Sequence, residues 1–568
     1  MFTLTNSTFT QPIDILVGIF ICLCFLNIST LLSYKIKIHE NNKLNFSIIY
    51  LISTFFLAQF FFFISLFFYD LILFRYIILF SCFIFFFLTK NNFFIFFQKE
   101  VLKNLNKKKK IIFILIILSL FLLTLIPASD VDSLDYHLGL ATNIINNGIY
   151  RPDFYWIHSR VVGLGEFINL IGITAGSKNF GSIYQFSSIL VLIKILHYYV
   201  QQHNSKVNYY YLIISCPLIF TFLIFQKIQL VPSIAIFLSI VLICENLLLK
   251  NIKIIFSIFT LLFFTITFKY SFLINIFSIF TVLFILNFKN KNFYKLLIYT
   301  LPLFLIITFP HLLKNYIFFQ DPITPFLESF KTQPDLIVKR FSETLKSDTY
   351  SDFMTFDLKT MVLFPVFLSF SLQPHFFNHL HGLAIITIYY FIFSKKTYSN
   401  KYTKFLILYI LLDGFIYMFV AKQLTPRYYI DIYLITGILI IFYFNDLKRF
   451  FLFKILYKLI KFQSIVVFLF VIVVILKFLP GSLHPKIYDK MMLKIADGYA
   501  EAQWVDKNLP LNSIYISENS RSHSLFPRKF ISIRQLMDYD NFDILELIKK
   551  ENVSHAVVSY PVENNHIK

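Results

Sequence analysis

The chain has 568 residues, 57% of them hydrophobic and 15% charged, with a formal net charge of +21 and a mean hydropathy of +0.69. A soluble domain carries about 25% charge, so the composition excludes an ordinary soluble enzyme and indicates a polytopic membrane protein. The positive surplus does not indicate nucleic acid, because the lysines sit in short connectors between apolar runs, as the positive-inside rule expects.

Taken in chain order, apolar runs predict spans near 13–34, 46–69, 71–89, 111–127, 183–200, 209–225, 230–249, 252–268, 270–288 and 296–311. Four more follow near 381–394, 403–421, 428–444 and 463–480. The fold class expected is therefore an all-α polytopic membrane protein of about fourteen transmembrane helices. Lysine-rich connectors at 35–43, 103–110, 289–295, 395–404 and 448–461 all fall on one side of the membrane if the N-terminus is outside. That topology puts loops 127–180 and 312–360, Arg427 and the C-terminal tail together on the extracytoplasmic side. Segment 361–374 is apolar but short, and reads as re-entrant or interfacial. No basic n-region or cleavage site marks a removable signal peptide. Cys22, Cys24, Cys82, Cys216 and Cys244 lie in apolar runs and read as small buried residues, not a disulfide framework or zinc site.

After Pro480 the composition becomes that of a soluble domain. Lys486 to Asn508 has helical patterning and Asn541 to Glu551 is amphipathic. Ser513 to Ser517, Phe530 to Ile533 and His555 to Tyr560 read as strands. The expected organisation is an N-terminal transmembrane extension (1–110), a transmembrane core (111–480) and a small α/β extracytoplasmic domain (481–568).

The most informative stretch is Pro127 to Phe180. Asp130, Asp132, Asp135, Tyr136 and His137 fall within eight residues, where the apolar run Ile111 to Ile126 leaves the bilayer. One reading is a solvated acidic helix cap; the other is an active site, since charge at the lipid boundary must face water or a protein cavity. Polar groups recur at Gln226-Lys227, at Lys269-Tyr270, at Lys314-Asn315-Tyr316 with Asp321 to Phe326, and at Gln423 to Tyr429. Snorkelling cations and interfacial tyrosines are the plain alternative at each place. Only nine of the 52 Lys+Arg are Arg, and Arg151, Arg160 and Arg427 are among them, which hints at a need for the planar, two-pronged guanidinium. Cations and carboxylates converging on one membrane face suit a substrate that is lipid at one end and anionic at its head. A phosphate requires Arg or Lys partners, and a nucleophilic hydroxyl requires a base.

At these residues the chain resembles GT-C-fold glycosyltransferases, namely the bacterial relatives of protein O-mannosyltransferases, aminoarabinose transferases and rhizobial lipopolysaccharide sugar transferases. The residues that carry the resemblance are Asp132-Ser-Leu-Asp135-Tyr136-His137, Glu166, Asp321-Pro-Ile-Thr-Pro-Phe326 and Arg427-Tyr428, within roughly 110–480. It departs in having three extra spans ahead of the one that leads into the acidic loop, and Asp321 where Gly-Asn is usual. The resemblance implies a polyprenyl-phosphate sugar donor, an envelope lipid, glycan or protein acceptor, and inverting transfer at the extracytoplasmic face of a bacterial inner membrane. Asp132 is then the expected general base, with Asp130 and Asp135 as the other catalytic candidates. Tyr136, His137, Arg160, Glu166, Lys227, Lys269, Tyr270, Lys314, Arg427 and Tyr428 are the expected substrate-binding residues. No organic cofactor is expected, although Asp130 and Asp132 sharing a divalent cation is an alternative. His375, His379 and His381 read as headgroup-level histidines more readily than as a metal site. Asp413, Lys194 and Glu245, in or near spans, sustain a second reading as a flippase or secondary transporter. A non-catalytic scaffold of envelope polysaccharide export is a third.

Overall fold

The computed structural model describes residues 2–89, 92–102, 105–153, 156–246, 251–288, 291–326, 338, 358–370, 380–394, 398, 400–421, 425–517, 522–532 and 544–557. Among the described residues, seven helices are long and apolar enough to cross a membrane: Ile13–Lys35, Asn42–Phe67, Leu71–Thr89, Phe180–Gln202, Lys401–Val420, Pro426–Leu447 and Phe451–Phe478. An eighth is added if Ile298–Ile307 and Phe309–Phe319, bent by 46°, form one span. This is a multi-pass helical membrane protein, but helix length alone does not establish fourteen spans.

The remaining predicted segments are helical and fall short for identifiable reasons. Lys107–Thr124 opens on four lysines, which shortens its apolar part. Leu230–Glu245, Ile252–Phe268 and Phe272–Asn287 have 16, 17 and 16 residues, and a hydrocarbon core asks for about 20. Segment 209–225 is split into Tyr209–Ile214 and Pro217–Ile224, where Pro217 begins the second helix; a proline at a first helical position gives up no internal hydrogen bond. The helix Leu358–Ser369 has only 12 residues.

Two polar ends close the bundle. At the lysine-rich end four helices start on asparagine caps. Asn41, Asn106, Asn251 and Asn400 accept from the backbone amides of Lys43, Lys109, Lys253 and Tyr402, satisfying donors that a helix start otherwise leaves orphaned. Glu245 lies at this end too, accepting from Tyr199 at 2.6 Å and contacting His39 Nε2 at 3.0 Å. Lys194, in the buried part of helix Phe180–Gln202, has its ammonium 3.5 Å from the ring centroid of Phe96 and 3.6 Å from that of Phe46. Phe93 and Phe97 stand further out at 5.1 and 6.0 Å. The short helix Asn92–Phe97 thus wraps a lysine in aromatic faces, an attraction that strengthens when water is excluded. All five cysteines are buried and free, as the sequence suggests.

At the opposite end sit the acidic loop and the C-terminal domain. Its three strands, β1 Ile514–Ser517, β2 Lys529–Ser532 and β3 His555–Val557, form a parallel sheet in the order β2-β1-β3. They fall where alternation predicts strands. The predicted helix 486–508 is two helices, Pro485–Ile495 and Tyr499–Asn508, parted at Gly498, whose φ of 73° favours glycine. The domain is anchored to the bundle: Lys178 pairs with Asp14 at 3.6 Å and lies 4.3 Å from the Tyr488 ring centroid, and Ser482 Oγ donates to the Leu125 carbonyl.

Candidate active site

The acidic loop folds as a π-helical turn, Ser133–His137, a geometry that recurs at functional sites. Its three aspartates take three different positions. Asp130 Oδ1 accepts from the Ser133 amide at 2.9 Å, which is the helix-cap role. Its Oδ2 is buried with no partner among the described residues, and burial pushes the carboxyl up to about 6. Asp132 points into the open: its side chain is 46% exposed and lies 3.5 Å from the ammonium of Lys227, which is only 7% exposed. Asp135 is buried at 4% and contacts His523 Nδ1 at 2.6 Å and His158 Nε2 at 3.5 Å.

Around Asp132 the structure gathers residues from four separate stretches of chain. Ser133 Oγ accepts from the Gln226 amide at 2.8 Å, and Asn169 Nδ2 donates both to the His137 carbonyl (3.1 Å) and to that of Gln226 (2.8 Å). These bonds hold the loop that carries Lys227 against the acidic turn. Lys227 also donates to Tyr136 Oη at 3.4 Å. Lys269 caps the end of Ile252–Phe268, with its ammonium 5.5 Å from the Tyr428 ring centroid. The Arg427 guanidinium lies 5.2 Å from the same ring and donates to Tyr428 Oη at 3.4 Å, while its Nε is buried without a partner among the described residues.

Three cations therefore face one open carboxylate. Burial raises the Asp132 carboxyl, but Lys227, His137, Arg427 and His158 outweigh it and hold the group below the usual carboxylate range. Lys269 is lowered well below an ordinary lysine, by burial first and then by Lys227 and Arg427. Lys227 is lowered by burial and by Arg427. Such a surplus of positive charge is relieved by an anion. It also argues against a divalent cation between Asp130 and Asp132, because one Asp130 oxygen is engaged as a cap and Lys227 already occupies the approach to Asp132.

The other expected residues form a flanking group. His137 Nδ1 donates to Glu166 Oε1 at 2.7 Å, and Glu166 Oε2 accepts from the Gly163 amide at 2.9 Å, so Glu166 fixes the imidazole. Burial lowers the His137 imidazole, against the opposing pull of Glu166. Lys314 reaches the Val162 carbonyl at 3.5 Å and stands over the Tyr150 ring. Tyr270 Oη accepts from Asn315 Nδ2 at 2.8 Å and its ring meets Phe326 edge-on, which docks the Asp321 to Phe326 loop beside Lys269. Arg160 lies over Phe319 at 4.9 Å. Gln423, His375, His379 and most of loop 312–360 lie outside the described residues. Sequence reasoning missed Asn169, which ties two loops together, and His523, which comes from the C-terminal domain. An asparagine inside an apolar helix was the available signal for the first.

Neither the curated proteins nor the solved structures include a match to this chain. The family model described as the DUF1420 N-terminal domain matches residues 81–492, well over half of the chain and inclusive of Asp132, Lys227, Lys269 and Arg427. The chain belongs to the DUF1420 family.

Proposed function

We propose that this protein is a membrane glycosyltransferase with a GT-C-like core. It moves a sugar from a polyprenyl-phosphate donor to an envelope lipid, glycan or protein acceptor at the extracytoplasmic face of a bacterial inner membrane. The observation that carries this reading is the cluster at the polar end of the membrane bundle in which Lys227 pairs with the half-exposed Asp132 while Lys269 and Arg427 flank the Tyr428 ring within electrostatic reach of that carboxylate. The acceptor oxygen attacks the anomeric carbon and gives its proton to Asp132. The bond from that carbon to the phosphate oxygen breaks on the opposite side, with inversion, and the three cations take up the charge of the departing lipid phosphate. Donor binding also prepares the base: a phosphate that engages Lys227 draws it from Asp132, and the carboxylate regains basicity when the acceptor is in place. A strain lacking the gene is expected to lose one sugar-modified species from its envelope lipids and glycans, seen by mass spectrometry. An unchanged envelope profile overturns the reading.

The shorter helices, in this proposal, complete fourteen crossings in a locally thinned or protein-lined region, with both termini outside. Because the native cysteines are buried, a cysteine placed at the exposed Lys507 should react with an impermeant thiol reagent from outside, and one at Lys108 should not. The reverse pattern moves the acidic loop into the cytoplasm and removes the donor assignment. One observation favours the transporter reading instead. Asn275 Nδ2 lies 3.2 Å from Asp413 Oδ2 and 3.3 Å from Asp431 Oδ2, all three side chains buried within the bundle, and paired intramembrane carboxylates are a feature of proton-coupled carriers. Substrate counterflow in proteoliposomes without sugar transfer would establish that alternative.

A further inference from the structure

The C-terminal domain reaches the acidic loop through two adjacent residues, His523 and Ser524. Its Ser524 donates to the Leu134 carbonyl twice, from the amide at 3.0 Å and from Oγ at 2.6 Å. The Ser524 carbonyl accepts from the Leu4 amide at 2.7 Å, so the N-terminal residues lock the same loop from the other side. Between these bonds stands His523. Its ring stacks on Trp156, with centroids 4.2 Å apart at 16°, and its Nδ1 donates to Asp135 Oδ1 at 2.6 Å. The fit is close: a Cβ added at Gly139 would stand 2.9 Å from His523 Cβ and 3.3 Å from Trp156 Cη2.

From Asp135 the contacts run on to the open carboxylate. Asp135 Oδ2 lies 3.5 Å from His158 Nε2. The His158 ring stacks on Tyr136, with centroids 4.4 Å apart at 13°. Tyr136 Oη accepts from Lys227, and Lys227 pairs with Asp132. Each link is a direct contact between side chains, and all but the terminal Asp132 are largely packed in. A charge-assisted hydrogen bond and two ring stacks fix geometry better than one exposed ion pair does.

We propose that His523 is a positioning residue, through which the C-terminal domain holds Asp135, His158, Tyr136 and Lys227 in the arrangement that presents Asp132. The domain is then part of the site and not an appended cap. The inference rests on the transferase reading for its kinetic arm only.

Two substitutions in the full-length protein in nanodiscs separate the components of the latch. His523→Phe keeps an aromatic face for Trp156 and loses the donor; His523→Asn keeps a donor at the Nδ1 position and loses most of the stack. Hydrogen–deuterium exchange over 130–140 is expected to rise about tenfold in His523→Phe, the loss typical of one hydrogen bond to a charged group, and to stay near wild type in His523→Asn. Exchange across β1 should remain that of wild type in both, which shows that the domain is folded. In the transfer assay kcat should fall about tenfold in His523→Phe with the donor KM within about twofold, and His523→Asn should recover most of it. Unchanged exchange over 130–140 in His523→Phe overturns the latch, as does an equal rise in both variants or a donor KM that rises in place of the kcat loss. If β1 also loosens in His523→Phe, Asp135→Leu takes its place, because it removes the acceptor from the membrane side and leaves the domain untouched; normal loop exchange there overturns the proposal. Absence of transfer even in the wild-type protein counts against the transferase reading and leaves the exchange measurement to decide the latch.

Discussion

Asp132→Asn is expected to lower sugar transfer by about 10²–10⁴-fold, the range for loss of a general base, while expression and thermal stability stay close to wild type. The side chain keeps its size and is half open to solvent, so it is not part of the packed core, and the buried Lys227, left without its counter-ion, is lowered further. Asp135→Asn should be much milder, because an amide oxygen still accepts from His523. Asp130→Asn should be milder again, since Asn caps a helix as well as Asp does. The pH profile follows from the same surroundings. A base works when deprotonated, so its activity is present above its pKa and lost as pH falls through it. With the Asp132 carboxyl held below the usual range, the acid limb of kcat/KM should lie below pH ~4. Donor binding should weaken on the alkaline side, as Lys269 loses its proton at a pH below the ordinary lysine value of about 10.4. Transfer at the wild-type rate by purified Asp132→Asn excludes it as the base.

The second large effect is expected at Arg427. Arg427→Lys preserves the charge and removes the fork, so use of the lipid-phosphate donor should weaken by about tenfold or more, from one lost charge-assisted hydrogen bond worth roughly 1.5–3 kcal/mol. The buried Nε without a partner among the described residues is the reason to expect this, because it leaves one prong of the fork free for a ligand while Nη2 holds Tyr428. Arg427→Ala should be worse, and it should also loosen the Tyr428 ring, which both Arg427 and Lys269 approach. Donor titration in nanodiscs decides the matter. If Arg427→Lys follows the wild-type curve, the guanidinium is a membrane anchor and no clamp.

Much of this fold was legible because local signals carry it. The alternation in Ser513 to Ser517 gives β1, and the apolar runs give helices at every predicted span. The number of crossings was less legible, since a run of 16 or 17 apolar residues reads the same whether it spans the bilayer or packs within the bundle. The grouping of Lys227, Lys269 and Arg427 with Asp132 was anticipated from their shared membrane face. The division of labour among Asp130, Asp132 and Asp135 was not, because spacing does not say which carboxylate caps, which projects and which is held. His523 lay beyond reach altogether: 388 residues separate it from Asp135, and nothing local marks a histidine in a polar loop as the partner of a distant aspartate.

The lysine wrapped by phenylalanines bears on how the chain is assembled. Helix Phe180–Gln202 is buried all round up to its last turn and carries Lys194 within that buried stretch, so it is a poor occupant of lipid until something shields the ammonium. The shield comes from Phe46, Phe93 and Phe96, all of them earlier in the chain and so emerging from the ribosome first. The N-terminal hundred residues, part of which precede the stretch that matches the family model, then serve as a built-in escort for a helix that membrane insertion alone would not welcome.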